Sequence, residues 1–583
     1  MSNDGGTVTT YDIKIDGGIL SDADLINLRR VTVERSWSAA DRAVLEFRSP
    51  DFEFPGGVDD PLTVQLVIGG RPQTPLLFAG TIVGVGLRVV NGEGVVVVEA
   101  LDDRHKLARK IEPKTYEKVK LDDVVSQIAS ANGMTAESSL GATVFEHFIV
   151  ADSHFAVLQH IARRTGTVWN LVDKKLVFTA PDTSQGHDVD VTLGENVIDI
   201  DLRLAPVEIA ADIAVNGWDQ AQGQAIVGKA TTKQIQSMGK TVRSPSGVKA
   251  TAWGGGAIDA EDASKMAKAI DRRLRIGDVI GQITVVADHR LQPGKLVKLD
   301  GVGDTFAGKY IISDVTHRLG DLDGSATTEF RIGPPDMSLD QLLGDDDRIG
   351  GRAPEGVTIG IVTESKDPDN LGRVRVKLPL LSDQLQTGWI RTASVGSGTD
   401  RGIVFVPEVN DEVLVAFEHG ELNRPYVIGA LWNKPGSAFQ GAANDNKTDE
   451  RRLVSRLGSA IRFVDKDSGD ATSGISIEMD GAKTKIFMGY KQVTIETQGR
   501  PLEIKNGKAS IKMENDDITI TANNITIDAK QKLDVKSTMD TTIKAGQNAT
   551  IEASVQLNAK SNAGTTVESS AITTVKGSMV QVN

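Results

Sequence analysis

The chain has 583 residues, contains no cysteine and carries a formal net charge of −14. A chain of this length exceeds what one hydrophobic core supports, so we expect about four domains. The missing cysteines exclude disulfides and thiolate metal sites, and the acidic balance argues against nucleic acid as the main partner.

Other features of the whole chain narrow the function further. There is no apolar run of about 18 residues, so no membrane-spanning helix is predicted. The first residues lack a basic stretch followed by an apolar one, so no Sec signal is expected. The eight histidines are scattered without carboxylate partners at ligand spacing. We therefore predict no metal site, no cofactor and no catalytic residues.

Residues 1–100 alternate between apolar and polar side chains, which predicts a small barrel or sandwich. Residues 119–165 change to helical spacing and predict two helices, the second with Ser153 as N-cap and Gly166 after its end. His154 and His160 lie on that second helix and are interpreted as surface histidines.

Residues 168–335 return to strand patterns, with one further helix at about 258–275. The stretch Gly223–Ala230 matches G-x-x-x-x-G-K, but Ala230 replaces the Ser or Thr that would hold magnesium, and no βαβ unit surrounds it. A hairpin with turn glycines is the better interpretation. Residues 333–355 are polar and glycine-rich, which predicts a linker around 336–355.

Residues 356–435 carry the most specific local pattern. Five short strands with tight turns predict a closed barrel of the OB type, a fold that serves many functions. Trp389, Phe405, Phe417 and Trp432 stand beside apolar residues, so we expect them in the core rather than in a nucleic-acid groove. Residues 436–490 are expected to be a β-rich transition.

The last segment, within 491–583, is a repeat of eight residues. Each octad has three alternate inner positions, usually apolar, apolar and small, and its central position is occupied by Ile527, Val535, Ile543, Ile551, Ala559, Val567 and Val575. Alternation of period two predicts short strands, and the fixed period predicts a repeat architecture.

One octad cannot bury its own inner face, so neighbouring octads must cover it. The inner residues are small, which suits three chains wound around a narrow axis better than a single-chain solenoid. We therefore expect an intertwined homotrimeric β-helix. A disordered polar tail would not keep this register, a calcium-binding nonapeptide repeat needs glycines and aspartates that are missing, and a coiled coil has a different period.

Residues 356–435 closely resemble the OB domain of contractile-tail spike proteins, a family that includes phage spikes and type VI VgrG proteins. The resemblance rests on motif residues that we interpret as structural: Asp367, Pro368, Gly372, Arg373, Trp389, Pro407, Glu408, Asp411, Glu412, Gly420 and Pro425. Residues 1–335 are more loosely similar to the late-control-protein hub of that family, with two barrel-like subdomains and inserted helices.

The resemblance implies a homotrimeric spike, made in the bacterial cytoplasm, whose hub joins a baseplate and a hexameric inner tube. The octads would form the puncturing shaft, with Ile527, Val535, Ile543, Ile551, Val567 and Val575 as its core. Val580, Val582 and Asn583 would contact a PAAR-type tip protein, since no histidine after His419 could form a metal tip. Effector cargo and a target envelope are further implied partners.

Within the family, the N-terminal residues and short linker favour an extracellular contractile injection system, whose particle would be released. A type VI VgrG spike and a phage tail spike are the alternatives. A polysaccharide-degrading tailspike would need carboxylates and aromatics in a groove, and no aromatic follows Tyr490. A nucleic-acid-binding OB protein would need a basic groove. We expect a mechanical protein and not an enzyme.

Overall fold

A computed structural model describes most of the chain, which divides into two compact units, residues 1–438 and 439–583. The described residues are 9–49, 51, 53–54, 56–181, 186–204, 212–219, 224–231, 249–253, 257–276, 279–320, 326–333, 356–398, 401–433, 448–466, 469–479 and 483–582. The predicted linker at 336–355 lies outside them. The chain is mainly β with a few helices, as the sequence predicts.

The first part of unit one, residues 9–333, is called the N-terminal region here. Its strands are β1 (Thr9–Ile15), β2 (Gly18–Ile19), β3 (Leu28–Ser36), β4 (Arg42–Arg48), β5 (Pro61–Ile68), β6 (Arg71–Pro72), β7 (Phe78–Val90), β8 (Glu93–Leu101), β9 (Lys114–Lys120), β10 (Thr135–Glu137), β11 (Val144–Val150), β12 (Val168–Val172), β13 (Lys175–Thr179), β14 (Val189–Thr192), β15 (Val197–Leu204), β16 (Asp212–Asp219), β17 (Gln224–Thr231), β18 (Lys249–Trp253), β19 (Val279–Val286), β20 (Leu296–Asp300), β21 (Gly308–Leu319) and β22 (Ala326–Ile332). Its helices are α1 (Asp22–Asn27), α2 (Arg104–Arg109), α3 (Leu121–Ala131), α4 (His154–Thr165), α5 (Ala260–Ile276) and α6 (Gly303–Phe306).

One fourteen-stranded sheet joins the two ends of this region, in the order β15-β19-β22-β21-β3-β4-β8-β7-β5-β1-β2, with β6, β14 and β20 branching from it. Antiparallel pairing of β3 with β21, from Val31–Leu319 to Ser36–Asp314, connects strands that are far apart in sequence. The sheet covers two separate cores, one under β1–β8 and one under β14, β15 and β19–β22.

The inserted segment of residues 104–179 has its own core, built from α3, α4 and the strands around them. Ser153 caps α4, since its side chain accepts a hydrogen bond from the Ala156 N–H, and Gly166 ends the helix at φ 63°. Both helix predictions are confirmed. The interpretation of His154 as a surface residue is wrong, because its ring is buried and contacts Asn132 Nδ2 at 2.9 Å.

Strands β16–β18 pack against α5, the helix predicted at about 258–275. Gly228 and Lys229 of the G-K pair lie inside β17, in antiparallel pairing with β16, and not at the start of a helix. A Cβ on Gly228 would stand 2.0 Å from the Ala263 backbone carbon, so this glycine permits close packing of strand on helix. Because these residues lie inside a strand, they do not form a phosphate-binding loop. Gly223, the first residue of the matched stretch, lies outside the described residues.

Residues 356–433 form the second part of unit one. They contain β23 (Val357–Glu364), β24 (Arg375–Lys377), β25 (Arg391–Thr392), β26 (Ser397–Gly398), β27 (Arg401–Gly402), β28 (Glu412–Phe417), a 3-10 turn (Glu418–Gly420) and β29 (Pro425–Ala430).

Unit two consists of antiparallel strands followed by a long segment without paired strands. The strands are β30 (Glu450–Val454), β31 (Ala460–Val464), β32 (Gly474–Met479), β33 (Thr484–Gly489), β34 (Val493–Glu496), β35 (Leu502–Asn506), β36 (Ala509–Glu514) and β37 (Asp517–Thr521). β30–β34 form one meander and β35–β37 another. The shaft is predicted to start at 491, and in the single chain β34–β37, within 493–521, pair with neighbouring strands of the same chain.

Candidate functional site

The five-stranded barrel of residues 356–433 has the strand order β24-β23-β28-β29-β25. A bridge between Val374 and Ile390 links the two ends of this order, so the sheet closes on itself. Its core contains Val362, Val374, Val376, Leu378, Leu385, Ile390, Val413, Val415, Phe417, Leu422 and Val427. The predicted OB-type barrel is confirmed.

Asp367 organises the loop that follows β23. Its carboxylate accepts hydrogen bonds from the backbone N–H groups of Asp369, Leu371 and Arg373, and it pairs with the Arg373 guanidinium at 3.0 Å (Nε) and 2.7 Å (Nη2). The bonds from Arg373 and the backbone hold the pKa of Asp367 well below its usual range. Gly372 takes the left-handed conformation at φ 70°, and Pro368 is exposed beside the carboxylate.

The next group of motif residues shapes the turn into β28. Asp411 accepts a hydrogen bond from the Glu408 N–H at 2.8 Å, and Pro407 is buried just before this turn. Glu412 begins β28 and accepts a hydrogen bond from Asn433 Nδ2 at 3.0 Å.

Gly420 and Pro425 shape the opposite turn. Gly420 has φ 72°, and Pro425 starts β29 opposite Phe417. Most of these motif residues thus lie in or beside turns of the barrel.

Trp389 lies where the barrel meets the N-terminal region. The ring is half-buried, with the Arg375 guanidinium 5.6 Å from its centroid. Arg375 Nη2 also lies 2.8 Å from His147 Nε2 and 3.3 Å from a Glu117 oxygen. Burial and the Arg375 charge lower the pKa of His147. A Cβ on Gly388 would stand 2.5 Å from His147 Nδ1, so the two surfaces are in direct contact.

Two further contacts at this junction were missed by sequence reasoning. Asn423 accepts a hydrogen bond from the Ile149 N–H at 2.5 Å and donates one to the Ile149 carbonyl at 3.2 Å. Thr115 donates to the Gln386 carbonyl at 2.6 Å. Ile149 packs into the barrel core, whereas Phe148 and Val150 on the other face of β11 belong to the core of the insert. Only the continuous apolar run Phe148–Val150 in β11 could have suggested a strand with two buried faces.

The expectation that four aromatics fill the barrel core holds for Phe417 and is wrong for two others. Phe405 is 60% exposed and Trp432 is 77% exposed in the single chain. Both lie outside the barrel strands, Phe405 in the segment between β27 and β28 and Trp432 just after β29. They join Val395, Val404 and Leu431 as exposed apolar side chains of this domain.

Unit two exposes an apolar sheet face. Strands β30–β34 place one set of cross-strand neighbours on the same side, and each is more than a third exposed: Leu453, Ile461, Phe463, Ile475, Ile477, Met479, Ile486, Met488, Val493 and Ile495. The opposite side mixes charged side chains with a few apolar ones. There Arg462 pairs with Glu450 at 2.5 Å and Glu478 at 3.2 Å, and its hydrogen bond lowers the pKa of Glu450.

The octad segment leaves its predicted core open within one chain. All residues from 523 to 582 are exposed, including the shaft positions Ile527, Val535, Ile543, Ile551, Val567 and Val575. Within the described stretch 523–579, no paired strand and no backbone–backbone hydrogen bond occurs. The expected short strands are therefore not formed by octads of one chain pairing with each other.

The backbone nevertheless follows the eight-residue repeat. It bends at residues 530–531, 538–539, 546–547, 554–555, 562–563, 570–571 and 578–579. The small third position of each octad comes directly before a bend. At three of these positions a serine hydroxyl accepts from the backbone N–H two residues later, in Ser537 to Met539, Ser561 to Ala563 and Ser569 to Ala571. The small position thus turns the chain, a role that the alternation pattern did not reveal.

The predicted tip residues are also exposed in the single chain. Val580 is 53% exposed and Val582 is 89% exposed, while Asn583 lies outside the described residues. Among the residues that the structure describes, no cluster of three or more metal-ligating side chains occurs. No helix in the described part of the chain is long and apolar enough to cross a membrane.

Two family models match the chain. Residues 358–432 match the type VI secretion system/phage-baseplate injector OB domain, which coincides with the closed barrel. Residues 31–321 match the Alg8 N-terminal domain, a stretch from β3 to the end of β21 that covers just under half of the chain.

Curated relatives are similar over limited stretches. The type VI secretion system spike protein VgrG3 of Vibrio cholerae is 32% identical over 84 residues, which is 14% of this chain and 8% of the relative. The spike protein VgrG2a of Pseudomonas aeruginosa is 24% identical over 150 residues, 24% of this chain and 18% of the relative. The aligned parts thus span less than a fifth of these relatives' lengths.

A solved structure covers more of the chain at lower identity. The E. coli c3393 protein, described as a component of the type VI secretion system, aligns with 72% of this chain and 99% of its own. The sequence identity is 16% and the TM-score is 0.43.

Proposed function

We propose that this VgrG-like chain, which carries an injector OB domain, is the central spike of a contractile, phage-tail-like injection system. In this proposal three copies assemble around one axis, the N-terminal region joins the assembly to a baseplate, and the octads form the shaft that crosses the target envelope. The role is mechanical, and no catalytic step is assigned to the chain.

The observation that carries the proposal is the fully exposed octad segment. Residues 523–579 place an apolar side chain at every eighth position. In the described structure they form no backbone–backbone hydrogen bonds with one another. Unpaired backbone groups and solvated apolar side chains are both unfavourable when they could be buried. The regular bends show that the segment keeps one conformation from octad to octad, so the missing partner has the same period.

Further copies of this chain meet that requirement best. They supply strands of the same repeat, and three of them close around the narrow axis that the small inner residues leave. The exposed apolar face of β30–β34 is open in the same way, and assembly would cover it too. The barrel aromatics Phe405 and Trp432 are candidates for burial between copies.

The remaining partners follow from the family resemblance. We propose that the N-terminal regions meet a hexameric inner tube, that the exposed side chains of Val580 and Val582 contact a PAAR-type tip protein, and that effector cargo travels on the spike. We favour an extracellular system made in the cytoplasm and released as a particle. The named curated relatives are type VI spikes, so a type VI machine is the second candidate.

The solution mass tests the assembly. Light scattering on the purified chain should give about three times 62.2 kDa. Ile543→Asp, at a central inner position, should abolish the trimer, because it places charge in the proposed axis. The control Thr542→Asp adds the same charge on the outer side of the same octad and should leave the trimer intact. A monomeric wild type, or equal behaviour of the two variants, would refute the shaft.

The machine type needs a separate test. Cells that produce the chain are fractionated, and sedimentable particles containing it are sought in the culture medium. Sheathed particles in the medium support the extracellular type, whereas particles found only inside cells and dependent on an envelope anchor support the type VI alternative.

A further inference from the structure

The residue that follows the central inner residue of each octad is charged in seven successive repeats. The set is Asp528, Lys536, Lys544, Glu552, Lys560, Glu568 and Lys576, which we call the charged stripe. Every member is exposed in the single chain. Because neighbouring residues of an extended segment point to opposite faces, the stripe lies on the outer side when the central residues point inward.

The signs in the charged stripe alternate. From Lys544 to Lys576 the sequence is positive, negative, positive, negative, positive. Over the whole stripe, five of the six successive pairs are opposite in sign, and only Lys536 and Lys544 are alike. Neither burial nor the inner repeat requires such alternation, since a solvated position accepts either sign.

Alternation has a consequence for which octads can lie side by side. If identical octads of two copies were neighbours, each stripe residue would face its own like charge, which is unfavourable directly across strands. From Lys544 onward, an offset of two octads also brings like charges together. An offset of one octad brings opposite charges together at each of the four steps between Lys544 and Lys576.

The neighbour at that offset has to come from another copy. The described stretch 523–579 contains no pairing between successive octads of the same chain. We propose that each stripe residue lies beside the oppositely charged residue of the next octad on a neighbouring copy, so that the stripe fixes a stagger of one octad between chains. This inference rests on the spike assembly proposed above.

The physical role is selection of register rather than bulk stability. Exposed ion pairs are individually weak. A repeat of constant period can, however, slip by one octad, and alternate pairings need to be disfavoured explicitly. At the start of the charged stripe, Asp528 pairs with Lys530 of its own chain at 2.7 Å. The alternating ion pairs between copies therefore begin at Lys544.

Cysteine cross-linking tests the stagger directly, because the natural chain has no cysteine. Neighbouring strands lie about 5 Å apart, within the range that a disulfide spans, whereas a two-strand separation of about 10 Å does not allow one. After oxidation, the double variant Glu552→Cys with Lys560→Cys should run as a covalent trimer on a non-reducing gel. Glu552→Cys alone should remain uncross-linked, and so should Glu552→Cys with Glu568→Cys.

The outcomes separate this inference from the spike proposal. A covalent dimer from Glu552→Cys alone would mean that identical octads are neighbours and would overturn the stagger. A trimer by mass in which the Glu552/Lys560 cysteine pair fails to cross-link would also overturn it while leaving the spike proposal standing. A monomeric mass would refute the spike proposal and the stagger together.

Charge reversal tests the electrostatic part. Glu552→Lys with Glu568→Lys makes the five residues from Lys544 to Lys576 all positive, and the trimer should dissociate at a lower temperature at low salt. A variant with all five signs inverted should regain the wild-type temperature, and about 1 M salt should remove the difference, because it screens beyond roughly 3 Å. Equal temperatures for the wild type and the all-positive variant would overturn the role of charge.

Discussion

The side chain of Asn423 pairs with the backbone of Ile149 as a neighbouring strand residue would, accepting from its N–H at 2.5 Å and donating to its carbonyl at 3.2 Å. The two residues lie 274 positions apart in the chain. Ile149 is buried in the barrel core, so this partly buried contact joins the barrel to the N-terminal region.

Removing that side chain should weaken the junction. Asn423→Ala leaves the buried Ile149 N–H without its partner, so we expect a loss of about 1–3 kcal/mol in the free energy of unfolding. Urea titration measures this loss, and amide exchange at Ile149 should become faster. The exposed Gln384 on the same barrel provides the control, since Gln384→Ala should change neither quantity. Unchanged exchange in Asn423→Ala would contradict the junction described here.

Asp367 should make the barrel sensitive to acid. Its pKa is held below the ordinary range, so the folded state releases this proton more readily than the unfolded state, and the stability it contributes above that range is lost as pH falls. Asp367→Asn should destabilise the barrel at neutral pH and show a smaller further loss on acidification. Asp369→Asn is the matched control, because the Asp369 carboxylate is exposed and pairs with Arg373, while its backbone N–H, which bonds Asp367, is unchanged by the substitution.

His317 provides a second pH dependence, in the N-terminal region. Burial lowers its pKa to about 3, and its Nδ1 lies 2.8 Å from Thr328 Oγ1. Between its ordinary pKa of 6.5 and about 3, the unfolded chain binds a proton that the folded chain does not, so stability falls as pH falls. Burial raises the pKa of Asp102 to about 6, which acts in the opposite direction.

The contribution of His317 is therefore measured as a difference between variants. Urea midpoints of the wild type and of His317→Gln are compared from pH 7 down to pH 4. The wild type should lose more stability over this range than the variant, since glutamine does not titrate. Parallel curves would show that His317 is protonated in the folded state.

The sequence alone predicted the elements that depend on local pattern. The helices at 121–131, 154–165 and 260–276 follow from apolar spacing and end signals, and the closed barrel follows from five short strands separated by turn residues. The pairing of β3 with β21 and the contact of Asn423 with Ile149 were not predictable. Both join residues that are far apart in the chain, and no local sequence pattern indicates such contacts.

The octads show a different limit of sequence reasoning. Period and alternation located the segment, and the bends of its backbone follow the eight-residue repeat, whereas its inner face stays a prediction. They did not indicate that β35–β37 would pair among themselves. The alternation pattern of a strand is the same whether the strand pairs with its own chain or with another copy of the chain. The left-handed turn residues Gly507, Asn515 and Asp516 were the available signal for those hairpins.

Substitutions of Phe417 and Trp432 test which of these aromatic side chains is buried by the barrel itself and which is covered by another copy of the chain. Phe417 is buried in the core, whereas Trp432 is 77% exposed in the single chain. Phe417→Ala should therefore lower the free energy of unfolding by about 3–5 kcal/mol. Trp432→Ala should change the unfolding of the separate chain by less than about 0.5 kcal/mol. If Trp432→Ala instead lowers the temperature at which the purified assembly dissociates, another copy covers this side chain. If it destabilises a strictly monomeric protein as much as Phe417→Ala does, Trp432 belongs to the barrel core and the exposed position described here is wrong.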